Sequence, residues 1–497
     1  MSAYSIEEMI LEGQAGVKEL FEFVKNNAEA MDAYSMEQSI FSRIMCIGLS
    51  AMKGYFAEKG TGDIGDVLEL EDGTTLKKEK RLLWKSYFSV FGKFGVPRTC
   101  YRANGDEGVM PLDAQANLPE RSYSYLLQEW MDLLSIRDSF AEASVTLNKL
   151  LGSGVSASRF EVVNRESANS YDRFYEKKAA PAAEAEGEIH VVGFDGKGVP
   201  VIKSEAARIQ PRLGKGEKRQ KKKEAIVGVS YTIDPKVRTA TEVAENLVYH
   251  EKVKKKKGGT RSPQIRAQNP RRIASLERSK EDVMREIIED AKTRNPDNKP
   301  LVAVMDGALG LWNLLTALLM GVNWIGILDV IHVVEYLWKV ANALYGERSI
   351  EGKKWVYDHL VAILQGRVGY VIAGMKQIIT KRKLKAGQKK ALQDTITYFE
   401  NHRAWMQYDV YLAAGYPIGS GVVESTCGHT VKSRMEGTGR RWSIKGAEST
   451  LLLRSVYTSN DWDDYWRNHQ KFEQERLYAS VLPKLALADE YQAKKAA

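Results

Sequence analysis

The stretch HVVGFDGKGVPV, residues 190–201, places a single aspartate inside a run of apolar residues. The residues on either side of Asp195 predict a strand, and AIVGVSYTID (225–234) predicts an antiparallel neighbour joined to it by a basic segment. A carboxylate in a buried strand costs on the order of several kcal/mol of desolvation unless a cation lies against it. The fold around Asp195 is therefore expected to supply a cation.

The segments after this strand pair predict an α/β fold. The amphipathic helix EDVMREIIEDAKTR (281–294) precedes the apolar strand KPLVAVMDG (299–307), which ends at Asp306. A helix at about 311–320, a turn at Gly321 and a strand at about 322–330 follow, and a further strand is considered near 238–250. Strands that alternate with helices predict a mixed sheet flanked by helices.

Composition and cysteine usage exclude several classes of protein. The chain has 497 residues, 43% hydrophobic and 28% charged, which suits a globular protein of about three domains. Residues 309–328 lack charged side chains, but glycine, asparagine and threonine interrupt the run, so no membrane span is expected. Cys46, Cys100 and Cys427 are far apart and form no CxxC motif, which argues against a disulfide framework or a cysteine-rich zinc site. An acidic N-terminus without a signal peptide and few cysteines predict a cytoplasmic location.

Positive charge is concentrated in two segments. Residues 203–223 carry a net charge of +7 and residues 252–272 carry +9, which leaves the rest of the chain at −7. Such segments are candidates for binding a polyanion, because contacts with phosphates give salt-sensitive affinity. Solvated flexible loops are the alternative. Two such runs beside one predicted sheet favour nucleic acid.

The pattern of segments predicts a modular chain. Residues 139–167 have the outline of a helix-turn-helix with Ser156 or Ser158 as the second N-cap, although a plain helical hairpin gives the same pattern. The predicted regions are a helical, DNA-binding N-terminal region (1–84), a strand-containing module with this motif (85–176), a linker (177–188), the first part of the core (189–334), a helical insertion (335–412), a helix and DNA-contacting segment (413–470) and a tail (471–497).

Three acids stand out by their position. Asp195 lies in the first strand of the α/β region, Asp306 at the end of a later strand, and Glu424 in a helix behind the glycine-rich turn YPIGSG. Acids on adjacent strands can meet, since neighbouring strands lie about 4.8 Å apart. Three converging carboxylates repel one another unless divalent cations neutralise them, and Mg²⁺ prefers oxygen ligands. Two such ions about 3.5–4 Å apart would activate a water or a 3′-hydroxyl for phosphodiester chemistry. Each acid alone is more often a turn former or a solvated side chain.

The set of motifs resembles a known family. GFDGKGVPV, VMDGALGLW, LDVIHVVEYLW, YPIGSGVVES and GTGRRWSIKGAESTLLLRSVYTSNDWDDYW together resemble bacterial insertion-sequence transposases of the ISKra type. The resemblance covers roughly residues 85–470. It implies a DDE enzyme with a ribonuclease H-like core, in which Asp195, Asp306 and Glu424 bind two Mg²⁺ ions, with Mn²⁺ as a substitute.

The resemblance also assigns supporting residues. Asp329 and His332 match a [C/D]xxH element that supports the active site or DNA in related enzymes. Asp329 also ends a strand, so spacing alone leaves it open as the second acid in place of Asp306, and His332 is alternatively a core histidine. In some relatives a segment like VPRTCYRANGDEG carries paired metal-binding cysteines. Only Cys100 is present here, so no zinc is expected there.

Basic and aromatic residues complete the candidate DNA interface. Lys432 and Arg434 lie close after Glu424, and Arg440, Arg441 and Trp442 would hold a phosphate and stack on a base, unless Trp442 is buried. The candidate DNA contacts in full are Lys215, Lys218, Arg219, Lys221, Lys222, Lys223, Lys254, Lys255, Lys256, Lys257, Arg271, Arg272, Lys432, Arg434, Arg440, Arg441 and Trp442.

The expected function is that of a DNA transposase. It would bind the terminal inverted repeats of its element, cut the ends by two-metal hydrolysis and join them to target DNA, as a homodimer or larger assembly on double-stranded DNA at the bacterial nucleoid. The alternatives are a catalytically inactive or domesticated DNA-binding protein and another ribonuclease H-like nuclease. An ATPase or kinase is disfavoured, because neither GxxxxGK[ST] nor GxGxxG is present.

Overall fold

Ten strands and twenty α-helices make up the part of the chain that the computed structural model describes, which is residues 5–70, 73–103, 108–209, 220–249, 266–437 and 439–482. The chain divides into two units, Met1–Lys177 with Trp462–Ala497 and Lys178–Asp461. The division lies at the start of the alanine- and glutamate-rich segment 177–188.

The first unit begins with a helical hairpin and continues into short strands. Its elements are α1 (Ile6–Asn27), α2 (Ala33–Lys59), β1 (Val67–Glu69), β2 (Thr75–Lys78), β3 (Leu83–Ser89), β4 (Gly92–Arg98), β5 (Tyr101–Arg102), α3 (Pro111–Gln115), α4 (Tyr125–Ser135), α5 (Phe140–Leu151), α6 (Ala157–Ser167), α7 (Tyr171–Lys177) and, at its end, α20 (Trp462–Tyr478). The sequence predicted a helical region over 1–84, and the described residues of that region beyond α2 are not helical. Instead β1 and β2 pair in register around Leu68 and Leu76, because an apolar residue flanked by polar ones has the period of a strand.

The helix-turn-helix outline corresponds to α5 and α6. A capping box between Ser139 and Glu142 starts α5, and Gly152 ends it with φ of 61°, a left-handed conformation that glycine adopts without strain. Ser156 is the N-cap residue of α6, one of the two positions that the sequence predicted. The structure confirms the two helices, and a role in reading DNA stays a prediction.

The second unit is a mixed α/β structure built on a five-stranded sheet. Its elements are β6 (Ile189–Pro200), α8 (Lys203–Ile209), β7 (Lys222–Ile233), α9 (Ala240–Val248), β8 (Gln268–Ser275), α10 (Lys280–Thr293), β9 (Leu301–Met305), α11 (Leu309–Leu318), β10 (Ile325–Leu328), α12 (Val330–Tyr345), α13 (Ile350–Leu364), α14 (Val368–Lys381), α15 (Ala386–His402), α16 (Tyr408–Ala413), α17 (Gly421–Thr426), α18 (Ser433–Met435) and α19 (Ile444–Thr458). The strand order is β10-β9-β6-β7-β8.

Pairing within this sheet changes direction at β6. β6, β7 and β8 form an antiparallel meander, whereas β9 runs parallel to β6 and β10 runs parallel to β9. Parallel strands end at the same edge of the sheet, so the residues that follow β9 and β10 lie beside each other. The helices α12 to α15 pack on this sheet through a shared core that includes Val302, Val333, Leu360 and Phe399.

One expectation about this unit is wrong. Residues 240–248 form α9 and not a strand, because Thr239 caps a helix whose Val243, Ala244 and Val248 recur at helical spacing. The third strand is instead β8, in a segment that the sequence analysis treated as part of a basic run.

None of the described helices is both long enough and apolar enough to cross a bilayer, and the apolar stretch 309–328 forms α11, a turn and β10.

Candidate active site

Three aspartates occupy one row across three neighbouring strands. Val192 of β6 pairs with Ala303 of β9, and Met305 of β9 pairs with Leu328 of β10. Continuing these registers places Asp195 opposite Asp306 and Asp306 opposite Asp329. Adjacent strands lie about 4.8 Å apart, so the row brings the three carboxylates to the same edge of the sheet.

Asp329 is the buried member of the row. Its backbone N–H donates to the Met305 carbonyl at 2.9 Å, which ties the end of β10 to the end of β9. Its carboxylate accepts hydrogen bonds from the Ile331 N–H at 2.8 Å and from the Ser420 hydroxyl. Asp329 is also the N-cap residue of α12. A buried carboxylate held by two donors has a fixed direction, so α12 and the turn at Ser420 orient it.

Glu424 lies in α17, directly after the glycine-rich turn, and close to Asp329 of this row. Helix α17 packs against β6 at Gly193, where an added Cβ would overlap the Val423 side chain and lie 3.0 Å from the Val304 carbonyl oxygen. Gly193 and Asp195 lie two residues apart in the strand, so they face the same side of the sheet. The missing side chain at position 193 therefore lets α17 approach the row of aspartates.

Gly193→Ala is expected to displace α17. The extra methyl group meets a helix and a strand carbonyl, and overpacking of this kind costs about 1–3 kcal/mol. The temperature of thermal unfolding is expected to fall below that of wild type, as measured by circular dichroism. The matched control is Gly198→Ala in the same strand, where the added Cβ lies 3.0 Å from the flexible Lys222 Cδ. Equal unfolding temperatures for Gly193→Ala and Gly198→Ala would contradict the role given to Gly193.

Among the described residues, one group of possible metal ligands lies close together: Asp329, His332 and Glu424, with one ligand atom from each within 4.8 Å of the others. The sequence analysis placed Glu424 with Asp195 and Asp306, and treated Asp329 and His332 as support. The structure places Glu424 closest to those supporting residues. His332 is half-buried, and its Nδ1 lies 3.1 Å from the Glu335 carboxylate, so it is not a core histidine bonded to backbone.

The pKa values of Asp306 and Glu424 depend on the neighbouring carboxylates. Burial raises the pKa of Asp306, as do the carboxylates of Asp195 and Asp329, while the Ala308 N–H and His332 oppose the shift. Partial desolvation and then the Asp329 carboxylate raise the pKa of Glu424. Negative charges that raise the pKa of a neighbouring carboxyl group mark a place where a cation would be stabilising.

Asp195 has a partner that the sequence analysis missed. Its carboxylate accepts the Gly196 N–H at 2.6 Å and the Cys427 thiol at 3.0 Å. Burial and the Asp195 charge raise the pKa of Cys427, so the thiol is protonated and acts as a donor. The available signal was the spacing, because Cys427 follows Glu424 by three residues and helical neighbours at that distance share a face.

The exposed basic residues lie around the far end of β6 and beyond α17. Lys221, Lys222, Lys432 and Arg441 are exposed, and Lys223 is half-buried. The Lys222 ammonium lies 2.7 Å from the Glu436 carboxylate. These side chains are accessible to a phosphate backbone.

Trp442 and its arginine neighbours are largely engaged within the protein. The Trp442 backbone pairs with Pro200 and Ile202, which extends the edge of β6. Its indole is buried under the Arg434 guanidinium, 4.4 Å from ring centre to Cζ, and Arg440 donates to the Arg434 carbonyl at 3.0 Å. Trp442 is therefore buried, in agreement with the second interpretation of the sequence, and base stacking by it stays a prediction.

Arg271 and Arg272 have internal partners. Arg271 is buried and pairs with Glu286, while Arg272 donates to the Thr458 carbonyl and contacts Thr426. Burial lowers the pKa of Arg272. Both guanidinium groups stabilise the packing of β8; Arg271 is buried and Arg272 is half-buried. Seven further candidates lie outside the described residues, namely Lys215, Lys218, Arg219, Lys254, Lys255, Lys256 and Lys257.

Comparison with known proteins adds little to this geometry. No protein-family profile matches the chain, and no curated protein matches it. Among solved structures, the Drosophila P element transposase strand transfer complex aligns with a TM-score of 0.24 and 7% sequence identity, over 72% of this chain and 84% of that chain. A similarity this low carries no argument about function.

Proposed function

We propose that the protein is a metal-dependent DNA transposase of the ISKra type with a ribonuclease H-like core. The observation that carries this proposal is the convergence of Asp195, Asp306, Asp329, His332 and Glu424 at one edge of a mixed sheet. The antiparallel meander followed by two parallel strands supports such a core.

The donor set fits a divalent cation. Four carboxylates and one imidazole offer hard oxygen ligands and one nitrogen, a set suited to Mg²⁺ or Mn²⁺. Asp195, Asp306 and Glu424 are the proposed ligands, and Asp329 and His332 adjoin Glu424 closely enough to contribute. Bound there, two such ions would activate the attacking oxygen and stabilise the leaving oxygen of a phosphodiester.

Other groups of the chain would orient the acidic ligands and bind the DNA. The Ser420 hydroxyl and the Ile331 N–H hold Asp329 in one orientation, and the Cys427 thiol holds Asp195. The exposed Lys221, Lys432 and Arg441 would bind the phosphate backbone of double-stranded DNA. An assembly of two or more chains would hold two element ends together, in the bacterial cytoplasm.

The test is cleavage of a supercoiled plasmid that carries the element's ends, in Mg²⁺ and in Mn²⁺. We expect breaks at the element tips, mapped by primer extension, and joining of the 3′ ends to a second plasmid. Breaks scattered over the plasmid would indicate a ribonuclease H-like nuclease that is not a transposase. Binding to the ends without nicking in either metal would indicate a DNA-binding protein that lacks catalysis.

A further inference from the structure

The helical hairpin of α1 and α2 carries an apolar groove along one side. Ile10 and Val17 of α1 form one wall, and Ile47, Ala51 and Tyr55 of α2 form the other. Its volume is about 640 Å³, large enough to receive several side chains. We call this feature the hairpin groove.

The groove belongs to a longer apolar face that remains exposed. None of the 22 residues of α1 is buried, although the helix is amphipathic. Phe21 continues the α1 wall by one turn, and Ile44 and Phe41 continue the α2 wall. The large side chains along both walls are between 43% and 69% exposed: Ile10, Val17, Phe21, Phe41, Ile44 and Tyr55. A contiguous exposed apolar patch of this size marks an interaction site.

The charge of the hairpin argues against a polyanionic partner. Residues 5–59 contain nine acidic side chains and five basic ones. An acidic surface repels the DNA backbone and anionic lipid, so binding at the groove is expected to come from its apolar side chains. DNA binding by other parts of the N-terminal region stays a prediction.

The exposed face carries both a protruding side chain and an open position. Phe21 is 69% exposed on this face, while at Gly13, which lines the groove, an added Cβ would meet nothing within 4 Å. A two-fold interface requires knobs and hollows on the same patch, because each chain presents that patch to the other. Covering six half-exposed large side chains buries on the order of 600–800 Å² per chain, which is what a stable dimer needs.

We propose that the hairpin groove is the homodimer interface of this protein. Two hairpins pack groove to groove around a two-fold axis, and their four helices form a bundle. The inference concerns the first unit alone and does not depend on the proposed catalytic function. It is tested without DNA or metal, so failure of one proposal leaves the other standing.

The first experiment is sedimentation of the full chain over nanomolar to tens of micromolar concentrations. Wild type is expected to dimerise, and Ile10→Glu/Val17→Glu to weaken dimerisation by on the order of a hundredfold or more. The matched control is Leu11→Glu, since Leu11 is 65% exposed on the same helix and does not line the groove. Circular dichroism melting shows whether each variant is folded.

The second experiment keeps the proposal testable if the double variant fails to fold. Gln14→Cys in a Cys46→Ser background places a thiol on the groove wall, and Cys100 and Cys427 are buried. Mild oxidation is expected to give a disulfide-linked dimer, whereas a thiol at Leu11 would give none. A wild type that stays monomeric at tens of micromolar, equal dissociation by Leu11→Glu, or equal cross-linking from both positions would overturn the proposal.

Discussion

Asp195→Asn is expected to abolish metal-dependent DNA nicking while leaving DNA binding intact. The amide keeps the shape of the carboxylate but removes the negative charge that would bind a metal ion. Losing a ligand of this kind lowers the rate by about a thousandfold or more, equal to ~4 kcal/mol of barrier. Asp306→Asn and Glu424→Gln are expected to behave alike, because all three belong to the same convergent group. Nicking of supercoiled plasmid and gel-shift binding measure the two properties separately.

The matched control is Asp297→Asn. Asp297 is an exposed carboxylate at the other end of β9 from Asp306, so its loss removes a charge without touching the site. We expect full nicking activity from this variant. Equal loss of activity at position 297 would show that net charge, and not metal ligation, governs the reaction.

Asp329→Asn separates the two candidates for the second acid. Asp329 lies in the same row as Asp306 and close to His332 and Glu424, so its substitution is also expected to reduce nicking. If Asp306→Asn keeps activity and Asp329→Asn loses it, Asp329 is the second acid. If Asp306→Asn loses activity and Asp329→Asn only reduces it, Asp306 is the second acid and Asp329 orients the neighbouring ligands through its contacts with Ser420 and Ile331.

The sequence singled out Asp195 and Asp306 because each interrupts or ends an apolar run, and Glu424 because it follows a glycine-rich turn. Their role as metal ligands stays a prediction. The sequence could not show which acids approach each other. That depends on the β6–β9 and β9–β10 registers and on the space at Gly193, which are long-range properties. The donors Ser420 and Cys427 were missed for the same reason. Each is unremarkable in its own segment and contacts an aspartate distant in the chain.

For the basic residues, the sequence showed where positive charge is concentrated but not which side chains are exposed. A lysine in a charged run and an arginine in a strand look alike in composition, but their surroundings differ. Lys222 lies at the exposed start of β7, whereas Arg271 is buried in β8 against Glu286. An arginine that pairs inside the fold neutralises a carboxylate and is not available to a phosphate. Charge counting therefore located the cationic segments but not the accessible cations within them.

Asp132→Asn is expected to stabilise the first unit at neutral and alkaline pH. Asp132 is fully buried between α4 and α6, where it accepts a hydrogen bond from the Asn164 amide at 3.0 Å. Burial raises its pKa from 3.8 to about 7, and the hydrogen bond from Asn164 only partly opposes this. The folded state thus holds a proton that the unfolded state releases. The free energy of unfolding therefore falls as pH rises from about 4 to about 7, by about 4 kcal/mol in total.

The asparagine variant removes this titration, because an amide stays neutral and its oxygen still accepts the Asn164 hydrogen bond. Urea unfolding of the full chain, followed at several values between pH 4 and pH 8, measures the effect. Wild type is expected to lose stability across this range, while the variant changes little and exceeds wild type most at pH 8. Asp138→Asn, at an exposed carboxylate just beyond α4, is the control and should follow wild type. Parallel curves for wild type and Asp132→Asn would mean that Asp132 is ionised in the folded state, with a neighbouring donor or water compensating its charge.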